Sequence, residues 1–261
     1  MATAVVHPDR SATSPALSRP RTAFVLAGGA SLGALQVGML QALYEQCVVP
    51  DLLVGTSVGA LNAAFVASQE QNTTTATALA RVWRGLERED VFPVSLSAVV
   101  GGLCGRRDHL VPECGLRRLV RRHVELDDLA DAPIPLHLVT FDLAHGREVL
   151  LSEGPAVDLG AERIYVLPTG NPSERRLDHA PKTAPDAAMQ AVGLLVQSRL
   201  EADISRYSPE VELIVLPAPN PRGVQPTSFE HSAHLIVNGR NAARDPLKNR
   251  EGSRRLRLAG W

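Results

Sequence analysis

A G-x-S-x-G pentapeptide, Gly55-Thr56-Ser57-Val58-Gly59, stands between a short apolar run, DLLVG (51–55), and an alanine-rich helical stretch, ALNAAFVASQ (60–69). A serine on a sharp strand-to-helix turn needs small neighbours two residues away on each side, so that the chain can fold back on itself. Its Oγ then projects beyond the sheet, and the N-terminus of the following helix favours negative charge beside it. The pentapeptide therefore asks for a strand, a tight elbow and a helix in that order, which places the chain among α/β folds. A plainer reading makes Ser57 a helix N-cap in a glycine-bounded turn.

A second turn precedes it. TAFVLA (22–27) is short, apolar and partly β-branched, as a buried parallel strand is. Ala27-Gly28-Gly29-Ala30-Ser31-Leu32-Gly33 follows, and then Leu32–Gln46 places Leu35, Met39, Leu40 and Leu43 at the spacing of an amphipathic helix. Backbone amides freed at such a turn form an anion nest, suited to a phosphate or an oxyanion. The dinucleotide reading fits poorly, because Ala30 holds the second glycine position and Asp51 opens the next strand instead of closing it. A P-loop is excluded, since no Gly-Lys-Ser/Thr follows. Together the two turns make a βαβα unit with one crossover helix. In that arrangement the glycine turn can aim its amides at a carbonyl attacked by Ser57.

The rest of the 261 residues reads as one α/β domain over 21–243. Residues 1–20, rich in Ser, Ala, Thr and Pro, lack the ~7–15-residue apolar core of a signal peptide and read as a disordered leader. Residues 244–261 read as a polar tail. Residues 70–130 are expected to be mostly helical, with Trp83 and Leu86 on one face and a break at Val100–Gly105. The arginine-rich LRRLVRRHV (116–124) reads as the solvated face of a helix whose Leu116, Leu119 and Val120 point to the core. The acidic cluster Asp127, Asp128 and Asp131 reads as a solvated turn. A strand pair flanks His145-Gly146, RIYVLPT (163–169) and VELIVLP (211–217) are further strands, and Ala184–Tyr207 reads as one helix. A last helix is expected from a Ser228 N-cap to Ala243.

Lys+Arg of 27 against Asp+Glu of 28 argues against a general nucleic-acid binder. Of those basic residues only Lys182 and Lys248 are lysine. No stretch reaches the ~18–20 unbroken apolar residues of a spanning helix. Three cysteines without a CxxC pair point away from a disulfide framework or a cysteine zinc site, and toward the cytoplasm.

TAFVLAGGASLGALQVGMLQAL followed by PDLLVGTSVGALNAAFVAS resembles the patatin-like phospholipase family, with its glycine-rich oxyanion turn and nucleophile elbow in order and at close spacing. The similarity continues through PIPLHLVTFDLAHGREVLLSEG and LGAERIYVLPTG, and so covers most of 21–243. The resemblance implies a three-layer α/β sandwich with a mostly parallel central sheet. It implies Ser57 as nucleophile, Gly55 and Gly59 as the elbow glycines, and the amides of Gly28, Gly29 and Ala30 as the oxyanion hole. It further implies hydrolysis of lipid acyl esters by a Ser–Asp dyad without metal or cofactor, and lipid substrates require at least transient membrane contact. Many members carry Arg or Lys where this chain has Leu32.

A larger departure lies downstream. The family's second catalytic residue is the Asp of an Asp-Gly-Gly or Asp-Gly-Ala motif, and no Asp-Gly dipeptide occurs in this chain. The sequence passes from Val157-Asp158 straight into Leu159-Gly160, where relatives have several dozen more residues, so the domain reads as internally shortened near 158–159. Asp158, at the junction, is the candidate substitute base. Asp142 resembles an aspartate kept for structure, and His231 and His234 fall on an expected surface helix. Two functions of different class follow: a serine acyl hydrolase impaired by loss of its aspartate, or an inactive relative that binds lipid or a protein partner through the remnant cleft.

Overall fold

In a computed structural model, residues 21–91, 114–126, 128–142, 147–151, 160–170, 211–219, 224 and 227–248 are described. The leader, Val100–Gly105, Asp127, His145-Gly146, Asp158, the expected helix over 184–207 and the last part of the tail lie outside them.

The apolar runs become the strands of one sheet. β1 (Thr22–Leu26), β2 (Leu52–Thr56), β3 (Leu136–Asp142), β4 (Arg147–Leu151), β5 (Arg163–Leu167) and β6 (Glu212–Val215) are arranged in the order β4-β3-β2-β1-β5-β6. Every neighbouring pair is parallel except β3–β4, which is antiparallel. β1 lies at the centre, and the register pairs Leu26 with both Gly55 and Leu167, and Thr56 with Val139. The C-terminal ends of β1, β2, β3 and β5 therefore share one edge of the sheet, where ligands of open parallel sheets bind. At the opposite edge the Asp51 carboxylate accepts the Thr22 backbone N–H at 2.8 Å. An acid fixed there cannot meet a ribose at the C-terminal edge, which closes the dinucleotide reading.

Burial on both faces explains the continuous apolar character of the strands. Phe24, Leu26, Leu53, Tyr165 and Leu167 join the main core on one face, while Ala23, Leu52, Val54, Ile164 and Val166 form a second cluster on the other. The main core is completed by α1 (Gly33–Glu45), α2 (Val58–Ala67), α3 (Thr73–Arg84) and, across α1, the C-terminal helix. α3 starts at an Asn72 cap whose Oδ1 accepts from Thr74 and Thr75 N–H. After it come α4 (Arg88–Val91) and α5 (Cys114–His123).

Three local expectations change. α1 is buried on nearly every side, eleven of its thirteen residues, because the C-terminal helix lies across the side that an amphipathic helix would expose. That last helix, α6 (Ser232–Lys248), begins four residues after Ser228 and continues five past Ala243. Its start is delayed because Phe229 is buried and stacked on Trp83, and the Phe229 carbonyl accepts both the Ser232 amide and its hydroxyl. Its last turns persist because Ala243 and Leu247 are buried and Arg244 pairs with Glu45. In α5 no residue is buried, and Leu116 is 39% exposed instead of facing the core.

Candidate active site

Two turns meet at the C-terminal edge of the sheet. Only three non-glycine residues among those described have positive φ, and two of them, Ala30 and Ser57, sit in these turns. Ser57 joins β2 to α2 at φ 54°, ψ −122°, and is exposed. Such a backbone costs about 1–3 kcal/mol and persists only where the surroundings impose it. The surroundings do so through the flanking glycines. A Cβ on Gly55 would stand 2.6 Å from the Ala60 Cα, and one on Gly59 would run into the Leu26 carbonyl. The Ser57 side chain makes no capping hydrogen bond, so the N-cap reading fails on its own criterion. Its backbone carbonyl instead accepts the Ala60 and Leu61 amides, starting α2 directly behind it.

The glycine turn leaves β1 at Ala27 and tightens into a 3-10 turn over Ala30–Leu32 before α1. It lies against the elbow: a methyl on Gly28 would be 3.3 Å from the Ser57 Cβ. The glycine turn and the N-terminus of α2 thus both lie beside Ser57. That arrangement suits a reaction in which negative charge develops on an oxygen beside Ser57.

Beneath the turns runs a buried polar chain that the sequence reading missed. Trp83 Nε1 donates to Asn62 Oδ1 at 2.8 Å, and Asn62 Nδ2 donates to Gln36 Oε1 at 2.9 Å and to the Gly33 carbonyl at 3.1 Å. Gln36 Nε2 then donates to the carbonyls of Ala27, at 2.7 Å, and Leu167, at 2.9 Å. Gln36 is fully buried and Asn62 1% exposed. Thr169, just after β5, donates its hydroxyl to the Gly28 carbonyl at 2.5 Å. The available signal was an amide, Gln36 or Asn62, within each of two mainly apolar helices.

The candidate bases fare differently. Asp158 lies outside the described residues. β3 ends at Asp142, three residues beyond Val139, the register partner of Thr56, and so reaches the same edge as Ser57. His231 and His234 are both exposed, with His234 hydrogen-bonded to Asn238. Asp128 caps a short 3-10 turn through the Ala130 N–H. Among the described residues no group of three or more His, Cys, Asp or Glu could hold a metal ion. A cleft of about 420 Å³ between α3, α4 and α5, with Arg81, Glu89, Asp90, Arg118 and Arg122 in its walls, includes none of the turn or elbow residues.

Residues 24–183 match the family model described as patatin-like phospholipase. The chain is also similar to the neuropathy target esterase sws of Drosophila melanogaster and of Drosophila erecta, 40% identical over 78 residues in each case. Those residues are 30% of this chain and 5% of each relative, so the chain matches a small part of the curated relatives. Among solved structures, the type III effector protein ExoU aligns at 17% identity and a TM-score of 0.36. The complex of full-length SpcU with full-length ExoU from Pseudomonas aeruginosa aligns at 16% and 0.38. Each alignment covers 90% of this chain and 54% of the other.

Proposed function

The chain belongs to the patatin-like phospholipase family, and from that premise we propose that it is a serine acyl hydrolase of lipid esters whose rate is limited by the missing dyad aspartate. Ser57 is the nucleophile. Its Oγ adds to the acyl carbonyl, and the Gly28, Gly29 and Ala30 amides receive the charge that forms on the carbonyl oxygen. Collapse of that intermediate releases the alcohol, which takes up the proton lost by Ser57, and water then frees the acyl group from the serine. The observation that carries the reading is the strained, exposed Ser57 with Gly28 packed against it.

No Asp-Gly dipeptide occurs in the sequence, and Asp158 is the residue proposed to take the Ser57 proton in its place. A general base contributes about 10²–10⁴-fold. Binding and the oxyanion donors still leave ~10³–10⁴-fold over water when a member of a catalytic triad is removed in proteases. Slow turnover is therefore the expected behaviour. The same absence favours a second reading, an inactive relative that binds lipid or a partner protein in the remnant cleft. No helix among the described residues is long and apolar enough to cross a membrane. The proposed setting is the cytoplasm, with transient contact at a lipid surface and no cofactor.

The two readings separate on covalent chemistry. A fluorophosphonate probe and a short-chain chromogenic ester are applied to the protein and to Ser57→Ala. Labelling and hydrolysis that vanish in the variant support the hydrolase, and Asp158→Asn should then slow both. Silence in both proteins, with a cooperative melt and acyl-lipid binding that survives Ser57→Ala, means the binding relative.

A further inference from the structure

We propose that Thr169 and Gln36 are positioning residues that aim the Gly29 and Gly28 amide protons at the oxyanion, an inference that rests on the reading of this turn given above. A trans peptide is planar, with its C=O and N–H pointing in opposite directions. Holding one residue's carbonyl therefore sets the direction of the next residue's N–H. Gln36 Nε2 holds the Ala27 carbonyl, and so sets the Gly28 N–H. The Thr169 hydroxyl holds the Gly28 carbonyl, and so sets the Gly29 N–H. Both clamps lie toward β5: Thr169 follows that strand, and Gln36 also bonds the Leu167 carbonyl at its end. β2, which carries Ser57, is on the opposite side of β1. Carbonyls drawn toward β5 leave the two N–H groups facing the elbow.

The buried chain also fixes which way the amides point. An indole nitrogen only donates, so the Asn62 oxygen must face Trp83 and its NH₂ must face the Gln36 oxygen. The Gln36 NH₂ is then left for the two carbonyls, both of its protons used. Flipping Gln36 would set its oxygen against two carbonyl oxygens. A relay that starts at a donor-only group thus ends in a defined orientation of the glycine turn, without any charged residue.

Thr169→Val tests the clamp with little change of shape, since it replaces the hydroxyl by a methyl at a half-buried position. We expect the rate of fluorophosphonate labelling at Ser57 and kcat for a short-chain ester to fall on the order of 10–100-fold, the cost of a misdirected group at a reacting centre. KM and the melting temperature should hold, and Thr169→Ser should restore the rate. A Thr169→Val rate equal to the parent overturns the proposal, as does an equal loss in Thr169→Ser, which would make the effect one of packing. A second readout needs no turnover. In ¹H–¹⁵N spectra the Gly29 amide should shift or broaden in Thr169→Val and keep its parent position in Thr169→Ser. If the parent is as silent as Ser57→Ala, the hydrolase reading fails, and the Gly29 amide alone decides whether the clamp exists. An unmoved Gly29 peak then overturns it.

Discussion

Two faces of α1 are held by different physics. On one, Gln36 reaches into a neutral hydrogen-bonded chain that ties together α1, α2, α3 and the ends of β1 and β5. On the other, which carries Leu35, Gly38 and Glu45, the helix meets α6 by close backbone approach and by charge. A Cβ on Gly38 would fall on the backbone of Ile236 and Arg240, and one on Gly239 on that of Leu35, so only hydrogens fit between the helices there. Below that contact, Glu45 accepts from Arg240 and, at 2.9 Å, from Arg244. The first device fixes orientation and the second fixes separation. Geometry that must survive changes of pH and salt is assigned to amides, while the ion pairs are left where water can reach them.

The largest effect should come from Asn62→Leu. The variant leaves the Trp83 N–H, the Gly33 carbonyl and the Gln36 oxygen without their partner in a dry site. At about 1–3 kcal/mol per stranded buried group, partly offset by relaxation, the expected loss is about 3–5 kcal/mol. Urea unfolding should show a lower midpoint at unchanged slope. A loss below about 1 kcal/mol would show that the chain does not hold the two turns together. Gly38→Ala acts on the other face. The helices must part to admit the methyl, at about 1–3 kcal/mol, yet labelling at Ser57 should proceed at the parent rate because the amide chain is intact. A Gly38→Ala protein that folds and labels markedly more slowly would mean that the two faces of α1 are not independent.

How much of this was readable from the chain depends on the distance over which each feature is decided. The strands were legible because a parallel sheet buried on both faces demands unbroken apolar runs such as TAFVL and RIYVL. The elbow was legible because its requirements lie within five residues, Gly55 to Gly59. The polar chain was not, since the Gln36 bond to Leu167 spans 131 positions and nothing local announces it. The same holds for α6. Its start is set by the stacking of Phe229 on Trp83, and its end by burial of Leu247 and the pairing of Arg244 with Glu45, both remote from the local cap and polarity signals. In α5, hydrophobic spacing suggested a core face for Leu116 that the fold does not supply.

The smallest effect, and the sharpest contrast with the amide chain, is expected of Glu45→Gln. Burial works to raise the Glu45 carboxyl, but the hydrogen bonds and charges of Arg244 and Arg240 outweigh it and hold the group below its ordinary 4.5. The folded state thus binds this proton less tightly than the unfolded chain does. The stabilisation is complete above the ordinary carboxylate range and is lost as the pH falls through the lowered folded value. At neutral pH the variant should lose no more than about 1 kcal/mol, as partly exposed ion pairs do. That deficit should close on acidification, because the parent loses the same interaction there, and it should shrink in 1 M salt. Asn62→Leu should show neither response, because no member of its chain titrates in that range. Parallel acid limbs for Glu45→Gln and the parent would mean that the charges at the far end of α1 contribute nothing, and that the glycine contact and the buried side chains of α6 hold that helix in place.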